Sequence, residues 1–286
     1  MSLTDPQIKD LEKKAHDIRV SVIEMLIEAK SGHTAGPLDM ADIFAYLYFA
    51  GNTGGMKYRA KEPHWQYRDR LVLSNGHICP VLYATMAHAG YFPMERLKNL
   101  RKFGSPLQGH PHREWLPALE TSSGPLGSGL AQTIGMALAD RMDSGRSSGK
   151  QFFCLMSDGE LNEGANWEAI MLAGKEKIQN LMVFVDRNNI QIDGFTEDIM
   201  PLDPLADKWR AFNWHVQEID GHNFSAIDEA VGTARAVFDR PSVIIANTIP
   251  SKGIPEFERK FEWHGKPPTT PEEISIARRA LGIQHK

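Results

Sequence analysis

The chain has 286 residues, 42% of them hydrophobic and 24% charged, and 32 basic against 36 acidic side chains give a formal charge of −4. That length is ample for one domain with a continuous core, expected here to span residues 1–286, and the balanced charge excludes the strong basic field that nucleic acid or an anionic membrane would select. No apolar run approaches the ~20 residues of a bilayer crossing, the N-terminus carries no export signal, and Cys79 and Cys154 lie in or beside apolar sequence, as expected of reduced, buried thiols in a cytoplasmic protein.

Thr4-Asp5-Pro6-Gln7 predicts a capped helix start. Apolar residues at Ile8, Leu11, Ala15, Ile18, Val22, Met25 and Leu26 carry helical spacing to about Lys30. The segment Ser31-Gly32-His33-Thr34-Ala35-Gly36-Pro37 breaks it, and a second helix begins near Met40. A Gly-rich break holding one histidine suits a site loop, although on spacing alone an exposed turn histidine is the better reading. Leu71 to Leu73 predicts a short strand, Asn75-Gly76 a turn that delivers His77, and Val81 to Ala89 a helix. Arg96 to Lys102 reads as a solvated, basic helix face. Then come Gly109-His110-Pro111 and the glycine-rich Thr121 to Gly129, ahead of a helix from about Leu130 to Met142. Glycines in that place leave backbone N–H groups to face an anion, a weak signal by itself.

The stretch from Gln151 to Gly194 is the most informative. Apolar runs Phe152–Met156 and Leu181–Val185 flank a helix from about Ala165 to Ile178, with Trp167, Ile170, Met171 and Ile178 as its apolar side. This βαβ unit predicts an α/β fold, a parallel sheet with helices on both faces. Ligands bind such sheets beyond the carboxyl ends of the strands, where Ser157-Asp158-Gly159 and Asp186-Arg187-Asn188-Asn189 fall. Asp158 offers a carboxylate, Asn188 a side-chain carbonyl and Ile190 a backbone carbonyl, an oxygen set suited to Mg²⁺ or Ca²⁺ holding a diphosphate. Gly159 lets backbone approach a phosphate oxygen. Read singly, Asp-Gly and Asn-Asn are ordinary turns; their places in one βαβ unit favour a site. Beyond them, Thr196 to Arg210 predicts a loop over the sheet edge with Trp209 packed. His215 to Ile219 reads as a strand, Ile227 to Val237 as a helix face, Val243 to Asn247 as a buried strand and Pro271 to Leu281 as a final helix. His215 and His222 read as structural.

Asp-Gly after one strand and Asn after the next is similar to the thiamine-diphosphate fingerprint, and SDGELNEG…VFVDRNNIQIDG resembles its transketolase version, with Ser157 where that family most often has Gly. SGHTAGPLDMADIFAYLYF, DRLVLSNGH, GHP and TSSGPLGSGLAQTIGMALA resemble further transketolase motifs, with Thr34 at a usual proline. The resemblance implies a thiamine-diphosphate-binding fold with Asp158, Asn188 and Ile190 at the metal. It puts His77, Gly124, Leu126 and Gly159 at the cofactor, His33 and His110 at the sugar, and His264 at both. Glu163 matches a subunit-interface position and is expected to join a carboxylate network there.

The match covers nearly the whole chain but only the diphosphate-binding half of a transketolase. The pyrimidine-binding half, with its glutamate, is expected on a separate C-terminal transketolase subunit, in a heterotetramer of two copies of each chain. The expected reaction moves a two-carbon ketol unit between sugars such as sugar phosphates. A 2-oxoacid dehydrogenase component would share the metal motif but not SGH, SNGH and GHP together. A non-catalytic paralogue, serving as a binding subunit, would have no need of the metal pair and four histidines.

Overall fold

The apolar runs form strands, as expected, and the strands form one parallel sheet. In the computed structural model, which describes residues 2–51, 54–145 and 148–284, the strands are β1 (Arg70–Leu73), β2 (Phe152–Ser157), β3 (Leu181–Arg187), β4 (Ile190–Gln191), β5 (Gly194–Phe195), β6 (His215–Asp220) and β7 (Ser242–Asn247). Five of them lie in the order β1-β2-β3-β7-β6, every neighbouring pair parallel. β4 and β5 make a small antiparallel hairpin directly after β3. The helices are α1 (Asp5–Ala29), α2 (Ala35–Asp39), α3 (Ala41–Phe49), α4 (Cys79–His88), α5 (Gly129–Ser144), α6 (Gly164–Glu176), α7 (Thr196–Ile199), α8 (Leu205–Ala211), α9 (Phe224–Ala236) and α10 (Pro271–Ala280).

Strand side chains alternate between two cores. Phe153, Leu155, Phe184 and Ile244 pack with α1, α3, α4 and α9. Phe152, Cys154, Met156, Val183, Val185 and Ile245 pack with α5, α6 and α8. Because both faces are covered, the central strands are apolar at nearly every position, which is why no polar alternation was visible in the sequence. Both cysteines are buried and unpaired. No helix among the described residues is long and apolar enough to cross a membrane.

Four expectations need correction. The break after α1 is shorter than Ser31–Pro37, because Ala35–Asp39 already forms a helical turn. The basic run Arg96–Lys102 is not a plain solvated face: Leu97 and Leu100 are buried, the helical part is a 3-10 turn ending at Asn99, and Arg101 takes φ 58°. Thr196–Arg210 is not a bare loop but carries α7 and most of α8, with Trp209 fully buried as expected. In α6, Ile170 is buried but Met171 is 55% exposed, so the apolar side is narrower than the spacing suggested.

Candidate cofactor and metal site

The strands direct all their carboxyl ends to one edge, and the polar turns gather there. Asp158 N–H donates to the Asp186 carbonyl at 3.0 Å, extending the β2–β3 pairing by one residue. The Asp158 side chain is fully buried. Its carboxylate accepts from Gly159 N–H at 2.7 Å and Asn189 N–H at 2.8 Å, and Arg187 Nη1 stands 3.3 Å away. The Asp158 carboxylate thus sits against the Asn188–Asn189 turn, and the two loop ends converge. Burial is the main cause pushing its pKa up to about 6, partly offset by Arg187. Arg187 is held from the other side by Glu197 at 2.6 Å and Asp203 at 3.3 Å.

Asn188 is also buried. Its Nδ2 donates to Asp39 Oδ2 and Asp186 Oδ2, both at 3.0 Å, and its Oδ1 accepts from Ile190 N–H at 3.1 Å. Asp186 in turn accepts from Thr248 Oγ1 at 2.5 Å. Burial is the first cause that pushes both Asp39 and Asp186 above the usual carboxylate range, aided by the charge of Asp186 at Asp39 and of Asp158 at Asp186. Asp39 and Thr248 gave no signal in the sequence. Asp39 lies 149 residues from Asn188 and Thr248 lies 62 from Asp186, and no local spacing could reveal either link.

Glu160 was missed as well, and it organises the glycine loop. It is fully buried, and its Oε1 accepts from Ser74 Oγ at 2.5 Å and Gly127 N–H at 2.8 Å. Ser74 Oγ accepts from Gly129 N–H at 3.1 Å. The N–H groups of Gly127 and Gly129 are therefore spent inside the protein, and any anion at this loop meets its other donors. Gly127 has φ 85°, and a Cβ there would lie 2.8 Å from Glu163 Cβ. Only glycine satisfies both demands. Glu163 itself is exposed at the start of α6. Burial, with a smaller contribution from the charge of Glu163, lifts the Glu160 carboxyl above its usual range. Leu126 is 38% exposed at the tip of the same loop.

Three of the four expected site histidines form one cluster. Ring centroids are 4.8 Å apart for His33 and His77, 5.3 Å for His77 and His264, and 5.6 Å for His33 and His264. Burial is the first cause that holds His33 down to about 3, His264 down to about 4 and His77 well below the ordinary imidazole value. All three are neutral at physiological pH. Thr34, at the position of the usual proline, donates its hydroxyl to the Lys266 carbonyl at 2.6 Å, so a side-chain bond restrains the His33 loop against the His264 segment. His110 is exposed and stands over Gly124, whose absent Cβ would lie 3.6 Å from the imidazole. Arg101 spans the two loops, with Nη1 3.1 Å from Ser31 Oγ and Nη2 3.4 Å from the Gly109 carbonyl. His222 is structural as expected: Nδ1 meets Asp42 at 2.7 Å and Nε2 accepts from Ile249 N–H at 2.8 Å. His215 begins β6, at the opposite end of the strands.

The residues fit a polar cofactor anchored by a hard cation. His33 Nδ1, His264 Nδ1 and both polar atoms of the Asn75 amide are buried without a partner, and buried polar groups are rarely left so. Asp158 and Asn188 each retain a lone pair, and with a backbone carbonyl they make an all-oxygen donor set. No group of three His, Cys, Asp or Glu side chains suited to a metal occurs among the described residues.

Comparison with known proteins identifies the family. The family described as transketolase, thiamine diphosphate binding domain, matches residues 11–286. A 6-deoxy-6-sulfo-D-fructose transketolase subunit of Clostridium sp. (strain MSTE9) is 42% identical, over 92% of this chain and 92% of its own length. An apulose-4-phosphate transketolase subunit of Phocaeicola vulgatus is 35% identical, over 92% and 91%. Transketolase 2 of Escherichia coli (strain K12) is 39% identical, but this chain spans only 42% of it. The solved transketolase from Leishmania mexicana superposes with a TM-score of 0.88 at 33% identity, over 96% of this chain and 42% of the other.

Proposed function

The chain belongs to the transketolase thiamine-diphosphate-binding family, and from that membership we propose that it is the diphosphate-binding subunit of a two-chain transketolase. Joined to a partner carrying the pyrimidine-binding half, it moves a two-carbon ketol unit from a ketose to an aldose. Support for a divided enzyme comes from the two relatives named as subunits, each matched along nine-tenths of its length. Both names specify an anionic sugar, a sulfonate in one and a phosphate in the other, and we take an anionic sugar as the substrate class here. The assembly is a heterotetramer of two copies of each chain, and the unpaired cysteines favour the cytoplasm.

Thiamine diphosphate, when bound, supplies the electron sink for carbon–carbon bond cleavage and formation. The chain's own residues bind, orient and move protons. Asp158, Asn188 and the Ile190 carbonyl would hold Mg²⁺ or Ca²⁺, and Gly159 would leave room for the diphosphate beside them. His77 and His264 would donate N–H bonds to phosphate oxygens, and backbone at Gly124 and Leu126 would contact the cofactor. His33, His110 and His264 face the sugar. A neutral imidazole both donates and accepts, so each can hold or pass a hydroxyl proton, and a positioned acid or base is worth about 10²–10⁴-fold. Glu163 completes a carboxylate network with the partner chain.

The observation that carries this reading is the grouping of three neutral imidazoles at the sheet edge where the Asp158 and Asn188 turns converge. The test is a ketol-transfer assay on the chain alone, the partner alone and the two mixed, with thiamine diphosphate and Mg²⁺. Turnover is expected only from the mixture. Robust turnover by this chain alone, or none from an assembled complex offered sugar phosphates and sugar sulfonates, contradicts it.

A further inference from the structure

Among the proposed cation ligands, Asn188 has a particular weakness. Turning its amide end over end replaces the ligating oxygen with an NH₂ group, which repels a cation. The structure contains a device against that turn. Asn188 Nδ2 lies 3.0 Å from Asp39 Oδ2 and 3.0 Å from Asp186 Oδ2. In the reversed orientation the amide oxygen would face those two carboxyl oxygens. Asp186 is a near neighbour on β3, but Asp39 arrives from α2, 149 residues away in sequence. Asp39 is fully buried, and its second oxygen has no hydrogen-bond partner. Burying a carboxyl in that way is costly, which argues for a function.

We propose that Asp39 is a positioning residue for the cation site: with Asp186 it accepts the amide N–H bonds of Asn188 and so fixes the Asn188 oxygen in the ligating orientation. In this role Asp39 is not itself a ligand but acts through Asn188, which it meets on the nitrogen side. Its place on the chain adds a second consequence. Asp39 closes α2, and Thr34 just before α2 is bound to the Lys266 carbonyl. The orientation of one cation ligand is thereby tied to the segments that carry His33 and His264. Groups that hold a ligand in place typically change metal affinity by about 10–100-fold when replaced.

The inference rests on reading Asp158 and Asn188 as cation ligands, and the test separates the two. Mg²⁺ is titrated into the reconstituted two-chain enzyme with thiamine diphosphate present, by calorimetry, and thermal unfolding of each variant is recorded without ligand. Asp39→Leu keeps the branched heavy-atom shape and removes the acceptor; it is expected to weaken Mg²⁺ binding about tenfold or more. Asp39→Ser is too short to reach the amide and is expected to do the same, carrying the comparison if the leucine variant does not fold. Asp39→Asn keeps an acceptor without the charge and is expected to stay within about threefold of wild type. Asp158→Asn is the control. If Asp158→Asn binds Mg²⁺ like wild type, the ligand reading itself fails. If Asp158→Asn loses binding while Asp39→Leu and Asp39→Ser match wild type, the positioning role is overturned. It is overturned equally if Asp39→Asn is as weak as Asp39→Leu, because the effect is then one of charge and not of orientation.

Discussion

His33 shows how burial sets the chemistry of a side chain. Its imidazole is held down to about 3 from an ordinary 6.5, first by burial and then by the charges of His264 and Arg101. The unfolded chain takes up a proton near pH 6.5 that the folded chain refuses until about pH 3. Folding is therefore opposed increasingly as pH falls through that window, and the opposition is absent above it. His33→Gln removes this contribution. Its melting temperature is expected to drop less than that of wild type between about pH 8 and about pH 5; an equal or larger drop contradicts the assignment. Arg101 makes a different point. It read as one more charge on a solvated run, yet it bridges Ser31 and the Gly109 carbonyl, in the loops that carry His33 and His110. Arg101→Met is expected to lower kcat/KM of the assembled enzyme by about tenfold or more, since small misplacements of such groups are expensive. Unchanged kinetics would show that the bridge is incidental. Motif residues such as His33, Asp158 and Asn188 were legible because each stands at a turn with a recognisable neighbourhood. Arg101, Asp39 and Glu160 were not, because their partners are distant in sequence and come together only in the fold.

At the scale of elements, the strands and long helices were readable from apolar spacing and the capped start of α1 from its sequence, whereas the cap of α10 emerged only in the structure. Gln7 Oε1 accepts from Thr4 N–H at 2.9 Å, and Glu273 N–H donates to Thr270 Oγ1 at 3.2 Å. Short elements were not readable. α7 has four residues and α8 seven, too few turns to establish a period, and Pro201 and Pro204 made the segment look irregular. The glycine loop was recognised but its support was not. Gly127 joins a positive φ to a 2.8 Å approach to Glu163, so Gly127→Ala is expected to destabilise the fold by about 1–3 kcal/mol, measured by denaturant unfolding. Glu160→Leu strands the Gly127 N–H and the Ser74 hydroxyl inside the protein and is expected to cost about 1–3 kcal/mol for each group left unpaired. A stability change within experimental error for either variant contradicts the view that Glu160 and Gly127 hold this loop.

As a whole molecule, the chain gathers its polar turns along one sheet edge. The Asp158 and Asn188 turns, the glycine loop and the histidine cluster come from β1, β2, β3 and the segments around α2 and α10, so the order of the sheet is what brings them together. The fold class was legible because a sheet covered on both faces leaves strands that are apolar at successive positions. The convergence of the Asp158 and Asn188 turns followed from their places on adjacent parallel strands, and the structure bears that out in the 2.8 Å bond from Asn189 N–H to Asp158. The central claim is that these two turns together grip one divalent ion that tethers the diphosphate. Its most direct test is anomalous diffraction from crystals of the assembled enzyme grown with thiamine diphosphate and Mn²⁺. The account predicts a single peak bounded by the Asp158 carboxylate, the Asn188 side-chain oxygen and the Ile190 carbonyl, with the diphosphate on its open side. Bound cofactor with no peak there, or with its metal held by other residues, would contradict it.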